Sequence, residues 1–411
     1  MVEPVSLITE HLSEIVKEIR ALNPDRNWLL QHYWIDSETF PEQAKAIASV
    51  VAEMVALNPA NLTPTEASQR VIGVMVRAVR EEHFDEREVV DELETTVAFL
   101  VHYQGSADIH LQVQNLVAAS EFSLGEVVIV PIRNQGDLTE YNLKYDQHSL
   151  RSSDVSSVNA YARVEQAPGL GTAASINAIV LAERVLKVVR GIGLPNLWGR
   201  DWGQMGITGR VVGSGWTILR TGEGFWNSSL RTNLTPQTWY MSLEAMLSNY
   251  SATEIERVRG IYDNSSRTAV ENKVLQALFW LGEATFPSET SAKFAHLSIA
   301  FETAVGGEAS GDSYLRDIGI TQMLAERTAF LLGTNRESRI GIHKSVAALY
   351  GSRSKVMHGE TEPISEAELT RWVYVVWQTT RAMLDLSSNL ATVEDFAMWC
   401  RKLRYTLPTS E

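Results

Sequence analysis

From Pro236 onward the chain reads as one helix after another, and that run constrains the fold more than any other feature. The helical segments are Thr238–Asn249, Ala252–Tyr262, Arg267–Ala284, Thr290–Val305, Ile318–Leu332, Arg336–Met357 and Ser365–Leu390. Phe286-Pro287-Ser288 and the Gly306 to Asp312 stretch separate them, and Asp312 or Ser313 can cap the helix that follows. Connections this short turn consecutive helices antiparallel, so an all-α bundle is expected over residues 236–411.

Upstream the pattern differs. Residues 5–22 place Ile8, Leu12, Ile15, Val16 and Ile19 on one helical stripe. Pro41–Leu57, Thr65–Glu82 and Glu86–Tyr103 continue the pattern, with Pro59 and Thr63-Pro64 as punctuation. Residues 1–105 are thus expected to be a helical N-terminal region. From about 106 the composition turns strand-like: Ile109–Val117, Glu126–Ile132 and Val158–Val164 carry β-branched residues between turn-rich flanks. Ala173–Arg190 is a helix that Gly191, Gly193 and Pro195 are expected to end. A glycine- and tryptophan-rich stretch follows, with Trp198, Trp202, Trp216 and Trp226, and Arg210–Leu219 is expected to be a hairpin strand within it. Residues 106–235 therefore form a mixed α/β region. The expected fold class is α+β multidomain, and 411 residues suit two or three domains.

Composition excludes several classes. The one cysteine, Cys400, leaves no internal disulfide and no cysteine-rich zinc site, as suits a reducing cytoplasm. Met1 to Arg20 is acidic and lacks an apolar core, so no signal peptide is expected, and without a run of eighteen apolar residues no membrane span is. The formal net charge is −14, with −11 in residues 1–250 and −3 in 251–411. Such a surface repels a phosphate backbone and argues against broad, nonspecific nucleic-acid binding. Within 336–358, however, Arg336, Arg339, Lys344, Arg353 and Lys355 face a single acid, Glu337. A local basic patch on an acidic body suits a site that admits a short stretch of polyanion.

Other chemistries find little support. There is no phosphate-binding glycine loop with Lys-Ser/Thr, no His-Glu-x-x-His, no Gly-x-Ser-x-Gly and no cluster of aspartates for two metals. His11, His32, His83 and His102 are scattered without metal-ligand spacing and read as surface or boundary residues. Gly169-Leu-Gly171-Thr-Ala-Ala174 has the placement of a dinucleotide fingerprint. Pro168 sits directly before it, and no second strand ending in an acid follows, so a tight strand-to-helix turn is expected instead. The tryptophans read as fillers of an irregular core rather than as base-stacking platforms. No cofactor and no metal are expected.

One stretch gathers a proton-transfer group, a fixed positive charge, hydroxyls and a helix stop: Leu349-Tyr350-Gly351-Ser352-Arg353-Ser354-Lys355-Val356-Met357-His358-Gly359-Glu360. Five helical steps of about 100° set Arg353 and His358 roughly 140° apart. A long arginine can still swing toward a histidine at a fraying end, where Gly359 offers the usual stop. The negative end of the helix dipole there favours the charged imidazole.

This string resembles the Arg-x4–6-His motif of HEPN domains, in the form seen in the ApeA-like HEPN subfamily. Phe301-Glu302-Thr303-Ala304-Val305 is similar to that subfamily's acidic residue on an early helix, and Ala325-Glu326-Arg327-Thr328-Ala329-Phe330-Leu331-Leu332 to its Arg-x-Ala-x-Leu-Leu helix. Arg371–Leu386 would be the closing helix, so the resemblance spans about residues 288–390. It implies a metal-independent endoribonuclease with Arg353 and His358 as the catalytic pair, acting as a bacterial antiphage or toxin-type effector. Glu302, Tyr350, Ser354 and Lys355 would support the pair; Arg336, Arg339, His343 and Lys344 would contact RNA. Arg336 and His343, with six residues between them, form a rival pair, and Arg327 is expected to be a structural ion-pair partner. The resemblance further implies a homodimer or higher even oligomer that assembles a composite site. Residues 1–235 would then sense a trigger or restrain the nuclease, and a regulatory protein partner suits that arrangement. The alternative is a noncatalytic HEPN module that binds RNA, nucleotide or a protein partner.

Overall fold

The computed structural model describes residues 41–80, 86–132, 160–198, 205–207, 215–221, 226–231, 241–287, 289–307, 313–357 and 364–405. The helix expected over 5–22 lies outside them, as do His11, His32, His83, Trp202 and Asp312. The architecture is α+β, dominated by helix, with a small antiparallel sheet. Its elements begin with α1 (Pro41–Leu57), α2 (Pro64–Arg80) and α3 (Glu86–Val101). Strands β1 (Ser106–Gln114), β2 (Leu116–Val117), β3 (Phe122–Leu124), β4 (Val127–Pro131) and β5 (Ala160–Pro168) precede α4 (Thr172–Leu197). Then come β6 (Gly206–Ile207), β7 (Gly215–Thr221), β8 (Trp226–Arg231) and β9 (Met241–Ser242). The rest is helix: α5 (Leu243–Leu247), α6 (Ala252–Asp263), α7 (Ala269–Glu283), α8 (Thr290–Val305), α9 (Ser313–Leu332), α10 (Arg336–Met357), α11 (Glu366–Leu386) and α12 (Val393–Tyr405). The strand order is β3-β4-β5-β1-β7-β8, with β6 antiparallel to β1 and the β2–β9 pair parallel and separate.

Two compact units interleave along the sequence. The first comprises residues 1–109, 164–180 and 217–228; the second comprises 110–163, 181–216 and 229–411. In the first, α1, α2 and α3 bury Met54, Val71, Leu93 and Leu100 against one another. The Asn58 amide donates to the Leu100 and Tyr103 carbonyls and so closes the end of α3. The Gly169–Gly171 stretch is the expected tight turn, with positive φ at both glycines. Its helix N-terminus already holds an anion, because buried Glu66 accepts from the Ala173 N–H. A β-carbon on Gly171 would stand 2.3 Å from the Glu66 carboxylate.

In the second unit the C-terminal helices form the bundle that the periodicity predicts. Capping boxes start α6 at Ser251/Glu254, α7 at Thr268/Glu271 and α11 at Ser365/Glu368. Four expectations are corrected. The helix expected to stop at Arg190 runs through Gly191, Gly193 and Pro195 to Leu197. Glycines serve close packing between α4 and α7: a β-carbon on Gly191 of α4 would lie 2.4 Å from the Leu278 carbonyl oxygen, and one on Gly282 of α7 would lie 2.1 Å from that of Lys187. Met241–Ser242, read as helix, is a strand, so strands are not confined to 106–235; Leu116 and Val117 supply the partner backbone. The helix expected from Ile318 starts at Ser313 and breaks at Gly319, whose φ of 74° no helix accommodates. The helix read as Ser365–Leu390 ends at Leu386, and Val393–Tyr405 forms a further helix.

Among the described residues no helix is long and apolar enough to cross a membrane. Glu254 belongs to a capping box, its Oε2 accepting from the Ser251 N–H at 2.7 Å, and it also pairs with Arg381, whose Nη2 donates to the same Oε2 at 2.9 Å and whose Nε donates to Oε1. Burial would raise its carboxyl, but the bonds from Arg381 and Ser251 prevail and hold it at about 2.

Two stability measurements follow from this packing. Gly282→Ala should lower the unfolding free energy by about 1–3 kcal/mol in urea titrations, because a methyl forces two helix backbones apart. Gly260→Ala, which meets nothing within 4 Å, should be neutral or mildly stabilising. Glu254 has a depressed pKa, so its contribution is present above the ordinary value of 4.5 and fades as pH falls toward 2. Glu254→Gln should therefore cost about 1 kcal/mol at pH 7, a modest figure because solvent screens the half-exposed Arg381, and the deficit should close near pH 2.

Candidate active site

The site is built where α8, α10 and α11 meet. On α10, Val346, Leu349 and Tyr350 face inward, while Lys344, Ser345, Ala348 and Gly351 face solvent. Tyr350 is 3% exposed and packs in an aromatic cluster: Phe301 lies 5.9 Å and Trp372 6.3 Å from its ring, with Phe301 and Trp372 edge-to-face at 4.7 Å. A buried phenol needs an acceptor. Glu302, in the last turn of α8, supplies it: the Tyr350 hydroxyl donates to Oε1 at 2.8 Å. A carboxylate in such a setting needs a cation in turn. Arg353, one turn beyond Tyr350, brings Nε to within 2.7 Å of the same Oε1. Its guanidinium carbon stands 5.8 Å from the Tyr350 ring centre. Burial, and then the hydrogen bond to Glu302, push the Tyr350 phenol up from its ordinary pKa, so it stays a neutral donor.

The structure thus unites three of the residues singled out in the sequence: Glu302, Tyr350 and Arg353. Ser354 and Lys355 continue the backbone of α10, and His358 lies outside the described residues. Arg336 is exposed in the first turn of α10, seventeen residues and about 25 Å of helix rise from Arg353. Lys344 is exposed and His343 half-buried, the latter about 15 Å along the axis from Arg353. Arg339 is tied to the end of α9, where its Nε donates to the Gly333 carbonyl at 3.1 Å and its guanidinium lies 5.3 Å from the Phe330 ring. Arg327, 2% exposed, donates to the Val305 and Gly307 carbonyls. Phe301 and Trp372 support the site without having been singled out, since an aromatic in an apolar stripe reads as core wherever it stands. Among the described residues no group of three or more His, Cys, Asp or Glu side chains is placed to hold a metal ion.

No protein-family model matches the chain, and no curated protein or solved structure matches it either.

Glu302→Ala should expose the logic of the cluster. It strips the buried Tyr350 hydroxyl of its acceptor and should cost about 1–3 kcal/mol in urea unfolding. Pairing it with Tyr350→Phe should recover part of that loss, since the orphaned hydroxyl is then gone; a double-mutant cycle reads the coupling.

Proposed function

We propose that the chain is a metal-independent HEPN-type endoribonuclease, with Arg353 and His358 at the reacting phosphate. The observation that carries this reading is how Arg353 is held. Glu302 takes it by Nε, the side of the guanidinium, while 37% of the side chain remains exposed. The edge formed by the two terminal nitrogens can grip two phosphate oxygens. A carboxylate at Nε orients that edge without occupying it.

The chemistry draws on the substrate's own nucleophile. The 2′-oxygen of RNA attacks the adjacent phosphorus, its proton passes to a base, and the phosphorus–O5′ bond breaks as an acid protonates the leaving oxygen. The products are a 2′,3′-cyclic phosphate and a 5′-hydroxyl. An imidazole suits the proton transfers because its reference pKa of about 6.5 lies near working pH. Arg353 would stabilise the charge that develops on the phosphorane oxygens. One histidine per chain is too few for separate acid and base roles, so two copies are proposed to face each other through their 349–360 stretches. Residues 1–235 would sense a trigger or engage a regulatory partner, in a cytoplasmic effector of antiphage or toxin type.

The test is incubation of the purified chain with total RNA in EDTA, with the cut ends mapped. Cleavage should persist in EDTA and leave cyclic phosphate ends, and DNA or 2′-O-methyl RNA should resist. His358→Ala should lower the rate by roughly 10²–10⁴ and Arg353→Ala by roughly 10²–10³. A His358→Ala protein that cuts like the wild type rejects this site and turns attention to Arg336 with His343. Wild type that binds RNA or a partner but never cuts it supports the binding-module reading instead.

A further inference from the structure

The last turn of α8 is closed by its own backbone and by side chains from two other helices. Its cap residue, Gly306, has φ −75° and ψ −174°, and Gly307 directly after it takes a positive φ of 102°, as glycine commonly does past a helix end. Two cations from neighbouring helices also take the terminal carbonyls. Lys273 of α7 donates through Nζ to the Thr303 carbonyl at 3.1 Å and to that of Gly306 at 2.8 Å. Arg327 of α9 donates to the carbonyls of Val305 at 2.7 Å and Gly307 at 2.9 Å. Positive charge suits this end of the helix dipole. Two cations side by side nevertheless repel, and burial, followed by the Arg327 charge, lowers the Lys273 pKa from its ordinary value.

The turn so gripped is the one that carries Glu302. The Glu302 carbonyl accepts from the Gly306 N–H at 2.7 Å, inside the same set of bonds, while its side chain holds Tyr350 and Arg353. Arg327 is backed by the Phe396 ring, 5.6 Å from its guanidinium carbon, and Gly307 packs at Val393, so α12 braces the assembly from behind.

We propose that Lys273 and Arg327 are positioning residues, which fix the last turn of α8 and thereby set the orientation in which Glu302 presents Arg353 to a phosphate group. The inference rests on the ribonuclease reading for its functional meaning, but its physical content is separate. Neither residue touches substrate. Each acts through Glu302.

The experiment uses the full chain and the side-chain Nε–H signal of Arg353, identified by NMR through its loss in Arg353→Lys. Lys273→Met keeps the length of the side chain and removes its charge. It should shift the Arg353 signal and speed its hydrogen exchange about fivefold, the effect of losing one hydrogen bond's worth of restraint. Lys273→Arg should restore it. The Nε–H of Arg381, held by Glu254, should not change in either variant, which separates local positioning from general loosening. On a labelled single-stranded RNA, Lys273→Met should lower kcat and leave KM nearly unchanged. Should Lys273→Met melt more than about 10 °C low, Lys273→Gln takes its place, because this half-exposed site tolerates an amide. Wild-type exchange at Arg353 in the uncharged variant overturns the proposal. A shifted Arg353 signal in a protein that cuts no RNA sinks the ribonuclease reading and leaves the positioning intact.

Discussion

Tyr350 buries a phenol at the junction of three helices, and an unpaired hydroxyl there would cost about 1–3 kcal/mol. The polar chain from Tyr350 to Arg353 follows from that cost. The hydroxyl calls for an acceptor, which Glu302 provides from the end of α8; the carboxylate calls for a cation, which Arg353 provides from the next turn of α10. The result is an arginine anchored through Nε with 37% of its side chain exposed. An ordinary packing requirement has thus placed a cation in a defined orientation at the surface.

The same economy recurs elsewhere in the molecule. Glu66 places a carboxylate at the N-terminus of α4, the position that a dinucleotide phosphate would need, and Gly171 leaves room for it. Arg190, 1% exposed, donates to the Gly282 and Met205 carbonyls and to Glu183, and so ties α4 to α7 and to the start of β6. Trp198 lodges its indole N–H on Thr370 beneath Lys293. In each case a polar group inside the unit is matched by another from a distant stretch of chain.

Much of the bundle was legible because its signals are local. The Ser251/Glu254, Thr268/Glu271 and Ser365/Glu368 boxes lie three residues apart, and the apolar stripes of α7, α8 and α10 repeat within a few turns. Two of the failures share one cause. Gly191 and Gly193 look like a helix stop because the backbone of Leu278 and the side chain of Met246, which make them packing residues, lie far away in sequence. Met241–Ser242 carries a helical pattern and becomes strand because Leu116–Val117 offers a free edge.

The candidate site divides along the same line. The sequence by itself determined that Tyr350 and Arg353 share one end of a helix and that Glu302 ends another, since helical spacing depends on neighbours alone. Only the tertiary structure decided that a single carboxylate oxygen serves both Tyr350 and Arg353, and that Lys273 and Arg327 close the turn behind it. Those contacts span from twenty to about fifty residues of sequence. Their geometry is set by how α7, α8, α9 and α10 cross, and no local pattern encodes a crossing.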